Sequence, residues 1–152
     1  MKKEHLFQDL IFEIFFSGKV FATGHLVFAY PNKRIKNLKI SFLGKFQKDI
    51  LILNEEYEDN DGIIVRNWKF KKISNNTFCG SEKNLIGKTI VKIKNNNLEM
   101  KYKYKTNYKY LNFSVIVKDH MYLIDSNTLL NITKISKLGI PLAKAFLVYR
   151  KL

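Results

Sequence analysis

The sequence predicts an all-β protein: a single closed, or nearly closed, antiparallel up-and-down β-barrel of about nine or ten strands, preceded by a short N-terminal amphipathic helix. Three observations carry this. From Lys19 onward apolar and polar residues alternate with a period of two, as in half-buried strands. The alternating segments are short, evenly spaced and divided by turn-forming clusters. Each leaves one apolar face, and closing the sheet on itself buries that face and removes exposed edges.

The opening stretch MKKEHLFQDLIFEIFF resembles a signal peptide only at first sight, because Glu4, Asp9 and Glu13 interrupt its apolar run. Leu6, Phe7, Leu10, Ile11, Ile14 and Phe15 recur at helical spacing, which predicts a helix over about residues 4–16 that plugs or flanks the barrel. No small-residue cleavage site or lipid-accepting cysteine follows, and no stretch has transmembrane length. As the chain stands, the expectation is a soluble, cytoplasmic protein.

The barrel follows over about residues 19–151, within one domain spanning 1–152. In LEMKYKYKT, Leu98, Met100, Tyr102 and Tyr104 face one way while Glu99, Lys101, Lys103 and Lys105 face the other. VFATGHLVF, NLKISFLGKF, DILILNEEY, GIIVRNWKF and YLNFSVIV alternate similarly. Turns are expected at Pro31-Asn32, Asn60-Asp61-Gly62, Ser74-Asn75-Asn76 and Asn95-Asn96-Asn97. An open sandwich is the structural alternative. Repeats, low-complexity tracts and linkers are absent from the sequence.

With 46% hydrophobic and 14% aromatic residues, the 152-residue chain has the material for a core. Its formal charge of +14 points toward nucleic acid or an anionic membrane surface. However, only Arg34, Arg66 and Arg150 are arginines, and abundant Lys, Asn and Ile are what AT-rich codon drift produces. Lysine ladders on solvated faces therefore account for the charge without a specific nucleic-acid partner, while an anionic membrane surface stays open. Cys79 is the single cysteine, so no internal disulfide forms and no zinc pattern exists. Phosphate loops, nucleophile elbows and HExxH are also missing. No catalytic residues, metal or cofactor are expected.

The hairpin at Asn60-Asp61-Gly62 carries the most informative residues. Leu51, Leu53, Glu55 and Tyr57 share one face of its first strand; Ile64, Arg66, Trp68 and Phe70 share one face of its second. Both sets are apolar apart from one charge each, so both should face inward. A loop of Asn60-Asp61 sets Glu55 opposite Arg66, whereas a slip sets Arg66 opposite Tyr57. A buried ion pair seldom improves on an apolar pair for stability, so its placement needs a reason. One reading is a polar anchor in an apolar cavity, with Arg66 and Tyr57 gripping a carboxylate or carbonyl head group. The other is a self-satisfied pair stacked on Trp68 that fixes register. Asp119 shares a face with Leu111, Phe113, Val115, Val117 and Met121, which makes it either an inward acid or the mark of a bulge; a bulge or strand end is the expectation. His120, alternating with it, should point outward.

At these residues the chain resembles domain-of-unknown-function family 3833 (DUF 3833), uncharacterised proteobacterial lipocalin-like proteins. The match runs from about Phe15 to Lys151. It includes Phe15-Phe16-Ser17-Gly18, Gly24, Leu53-Asn54-Glu55-Glu56-Tyr57, Asp61-Gly62 and Arg66-Asn67-Trp68. Gly80, Gly87, Tyr102, Tyr104, Asp119-His120-Met121-Tyr122, Asn131 and Ser136-Lys137-Leu138-Gly139 complete it. The resemblance implies a lipocalin-like barrel and adds weight to Glu55, Arg66, Trp68 and Asp119. His120 stands where the family has tryptophan, Lys118 where it has an acid and Ile132 where it has arginine, so a site using those groups is altered here. Because many relatives resemble exported lipoproteins, the resemblance suggests the cell envelope if the start is truncated.

The leading functional expectation is a non-catalytic barrel holding a small apolar or amphiphilic ligand near Glu55, Tyr57, Arg66, Trp68 and Asp119. The alternatives are an enzyme or enzyme accessory acting on a lipid-like substrate, with Glu55 as acid or base, and an interaction barrel filled by its own side chains.

Overall fold

The computed structural model describes residues 7–59, 62–108 and 111–152. Residues 4–6 of the expected helix and the Asn60-Asp61 turn pair lie outside them.

Eleven strands form one antiparallel sheet: β1 (Gly18–Phe28), β2 (Arg34–Gln47), β3 (Ile50–Asp59), β4 (Gly62–Ser74), β5 (Thr77–Ser81), β6 (Leu85–Ile86), β7 (Thr89–Lys94), β8 (Asn97–Tyr108), β9 (Leu111–Asp125), β10 (Thr128–Lys137) and β11 (Ile140–Lys151). Ten of them close into a lipocalin-like barrel, sealed by β1 against β11 and β8 against β9; the two-residue β6 is an extra piece on β8. The alternation read from the sequence is realised as an inside and an outside. Val20 and Ala22, Leu51 and Leu53, Val91 and Ile93 are buried, while their chain neighbours face solvent.

Successive hairpins place their connections at alternate ends. Lys48-Asp49, between β2 and β3, takes two left-handed residues (φ 52° and 61°), the geometry of a tight hairpin turn. At this same end the N-terminal segment crosses the barrel, with the Leu10 N–H donating to the Asn95 carbonyl at 2.9 Å. There it forms α1 (Phe12–Phe15), a single helical turn.

Two expectations for this segment need correction. The helix is four residues long rather than about thirteen, and residues 7–11 are not helical. Its buried face is Phe12, Phe15 and Phe16, with Leu10, whereas Phe7, Ile11 and Ile14 are exposed. The reason is geometric. Residues 7–11 are not helical, so the 3.6-residue stripe that would align Phe7, Ile11 and Ile14 with Leu10 does not form. Phe12 packs edge-on against Phe70, Phe78 and Phe16 at 5.0–5.2 Å between centroids, and Phe16 continues the cluster to Phe42 and Tyr149.

Polar contacts fix this plug. Lys72 Nζ lies 2.5 Å from Glu13 Oε1, and Lys151 Nζ donates to the carbonyls of Phe15 and Ser17. Gly44 on β2 leaves room for the Phe16 carbonyl: a Cβ there would sit 1.6 Å from that oxygen. No described helix is long and apolar enough to cross a membrane.

One stretch of the wall is held differently. β4 pairs with β3 from Gly62 to Lys71, but its ladder with β5 covers only Lys69–Ser74. Over Gly62–Trp68 the far edge of β4 has no strand partner among the described pairings, and side chains bridge that seam to β8.

Candidate functional site

Inside the barrel is a cavity of about 1,170 Å³, the size of a large small-molecule site. Its floor is the plug, through Phe12 and Phe16; its walls are mostly aliphatic and aromatic; its open end carries Arg34, Lys36 and Lys137. Glu55, Tyr57, Arg66, Trp68 and Asp119 all line it.

Glu55 and Arg66 are direct cross-strand partners on β3 and β4, the register set by two residues between Asp59 and Gly62. Glu55 is buried, and its two oxygens have different partners. Trp68 Nε1 donates to Oε2 at 2.9 Å, while Arg66 Nη1 lies 3.7 Å from Oε1, too far for a direct hydrogen bond. Burial pushes the Glu55 carboxyl above its ordinary range; Arg66 and the Trp68 hydrogen bond oppose this without cancelling it. For Arg66, burial disfavours the charge, but Glu55 restores it and holds the group above its ordinary value.

The guanidinium also sits over the Tyr104 ring at 4.8 Å and the Tyr57 ring at 5.8 Å. Trp68 stacks on Phe70 and meets Tyr102 edge-on at 5.4 Å. Arg66 with Tyr104, and Trp68 with Tyr102, are therefore the contacts that lace the seam between β4 and β8. The pair is not stacked on Trp68; that indole anchors Glu55 from the side.

Asp119 corrects an expectation. It is no bulge: it lies within β9, directly opposite Thr133 on β10, and its side chain is buried inside. The register shifts of this region fall at Thr128/Leu129 and Ile135/Ser136 instead. A bulge is unnecessary because the acid has partners. Thr133 Oγ1 donates to Asp119 Oδ1 at 2.5 Å and Asn131 Nδ2 to the same oxygen at 3.4 Å. Burial nevertheless raises the Asp119 carboxyl above its usual range. Burial, then Asp119, pushes the Tyr102 phenol well up, and Tyr149, 3.3 Å from Asn131 Nδ2, is raised as well.

The interior thus holds two polar clusters: Glu55, Tyr57, Arg66 and Trp68 on β3–β4, and Asp119, Asn131 and Thr133 on β9–β10. Tyr102 joins them. Sequence reasoning missed Thr133 and left Asn131 without a role. Their signal was present, since both share the inward phase of β10 with Leu129 and Ile135. His120 faces outward, between Asn97, Glu99 and Tyr122. No group of metal-ligating side chains occurs among the described residues.

Fold and site together define a lipocalin-like barrel with a charged, aromatic-lined interior. The chain belongs to DUF3833, a family of proteins of unknown function, whose model matches residues 2–151. No curated protein matches it in sequence. Among solved structures it resembles the S-type phycobiliprotein lyase CPES from Guillardia theta, with TM-score 0.64 and 7% identity over 93% of this chain and 91% of that one. It also resembles Rv2717c from M. tuberculosis, with TM-score 0.55 and 12% identity over 90% and 93%. At such identities the likeness is one of fold.

Proposed function

We propose that this protein binds a small anionic amphiphile in its barrel without transforming it. The apolar body would fill the cavity and a carboxylate-like head group would meet Arg66, beside Tyr57. One observation carries this reading. Glu55 keeps 9% of its side-chain surface open and is tied to Trp68, but Arg66 keeps 26% open and lines the cavity. Glu55 keeps the guanidinium charged without consuming its donors, which leaves a site for a second acceptor. Arg34, Lys36 and Lys137 at the open end favour approach of the same charge. Asp119 and Asn131, across the cavity, offer a second polar contact to a ligand that carries a hydrogen-bond donor.

The cavity volume disfavours a barrel packed solid by its own side chains. Native mass spectrometry of purified protein tests the proposal: a co-purified small molecule, lost in Arg66→Met, is the expected result. An empty barrel that also fails to take up added long-chain carboxylates would contradict it.

A second reading has one observation in its favour. Glu55 holds its proton more tightly than an ordinary carboxyl within a ligand-sized cavity, which suits an acid or base acting on a lipid-like substrate. Turnover of a bound ligand, lost in Glu55→Gln, would distinguish it from simple binding.

A further inference from the structure

The cavity's open end has a rim unlike a solvated set of turns. Tyr30 lies in the β1–β2 connection with Ile35 just beyond it, Ile63 and Ile64 lie at the start of β4, and Leu138 lies in the β10–β11 turn ahead of Ile140; all six are exposed. The hairpin topology places these three connections at the end opposite the plug. Leu138 is the most telling. It is 90% exposed and adopts a left-handed backbone (φ 50°) ahead of Gly139 (φ 78°), a position that glycine or asparagine fills without strain. A leucine there serves neither the turn nor the core.

Among the described side chains at this end, cations outnumber acids. Lys33, Arg34, Lys36 and Lys137 lie at this end, with Glu58 as the acid of this end among the described side chains. Apolar side chains interleaved with cations match a bilayer surface bearing anionic lipid, where rings and aliphatics enter the interface and ammonium groups meet phosphates. The patch also encircles the mouth of an apolar cavity.

We infer that this rim docks on an anionic lipid bilayer, with Leu138 inserted into the interface and the cavity mouth facing the membrane. Docking in this way does not require an occupied cavity, so it stands apart from the ligand reading while offering that ligand a direct route.

The test is flotation of the protein with phosphatidylcholine vesicles that contain or lack phosphatidylglycerol. Binding is expected only with phosphatidylglycerol, and high salt should release it. Leu138→Asn should weaken binding about tenfold, because the apolar side chain is lost. Its urea midpoint should be unchanged or higher, since asparagine tolerates the left-handed turn. Lys33→Glu should weaken binding at least about fivefold. Lys101→Glu, the same charge change on the outer wall of β8 away from the rim, should weaken binding less than about twofold. The inference is overturned by absence of binding to phosphatidylglycerol vesicles, or by binding indifferent to Leu138→Asn. A solution dimer that Leu138→Asn dissociates would assign the rim to a second copy instead. Equal weakening by Lys33→Glu and Lys101→Glu would make the binding a general effect of net charge and overturn the rim assignment.

Discussion

Glu55 and Arg66 are unequal partners, and this inequality gives them separable roles. Removing Arg66 strands a carboxylate that retains one strong donor, Trp68; removing Glu55 strands a guanidinium over two tyrosine rings. Arg66→Met or Glu55→Leu alone should therefore cost about 3 kcal/mol by denaturant unfolding, while the double variant recovers much of it. Asp119 yields a prediction in pH. Its folded pKa lies above its ordinary 3.8, so the folded state binds that proton more tightly than the unfolded chain. Its contribution to stability is present below about pH 3.8 and is lost as pH rises through the folded value. Asp119→Asn removes that dependence, so the parent should lose stability relative to the variant across this window. Parallel slopes of unfolding free energy against pH would contradict the assignment.

At the scale of elements, the plug and the hairpins show what the sequence made legible. Period-two patterning locates the strands because every inward residue shares one interior, and the Asn60-Asp61 loop length fixes the Glu55–Arg66 register. Turns at Lys48-Asp49 and Leu138-Gly139 were not foreseen, since lysine and leucine seldom adopt left-handed backbones. The plug was legible as apolar but not in phase, because a single turn has too few residues for periodicity to choose a face. Asp119 was misjudged because its partner Thr133 comes from another strand, and register across β9–β10 is not written in either segment alone. The plug assignment is testable: Phe12→Ala should cost about 3–5 kcal/mol, whereas Ile14→Ala should change stability by less than about 0.5. Gly44→Ala, with its Cβ against the Phe16 carbonyl, should cost about 1–3 kcal/mol by displacing the plug. Equal effects at Phe12 and Ile14 would return the buried face to the helical spacing first read from the sequence.

At the scale of the molecule, the +14 charge is distributed largely as outward ladders such as Lys101, Lys103 and Lys105 on β8. DNA binding should therefore be weak, independent of sequence and lost at moderate salt. Tight binding at physiological ionic strength would show a nucleic-acid surface where the barrel presents a solvated one. The central claim, an anionic head group held at Arg66 within an apolar cavity, has a built-in reporter. Trp68 is the single tryptophan, is 4% exposed, lines the cavity and bonds to Glu55, the partner of Arg66. Titrating the protein with a long-chain fatty acid while following Trp68 emission should give a saturable change. Binding should weaken about tenfold or more for the alcohol of equal chain length, and likewise in Arg66→Met, because each loses a charge-assisted contact. A flat titration, or equal affinity for acid and alcohol in the parent protein, would contradict the claim.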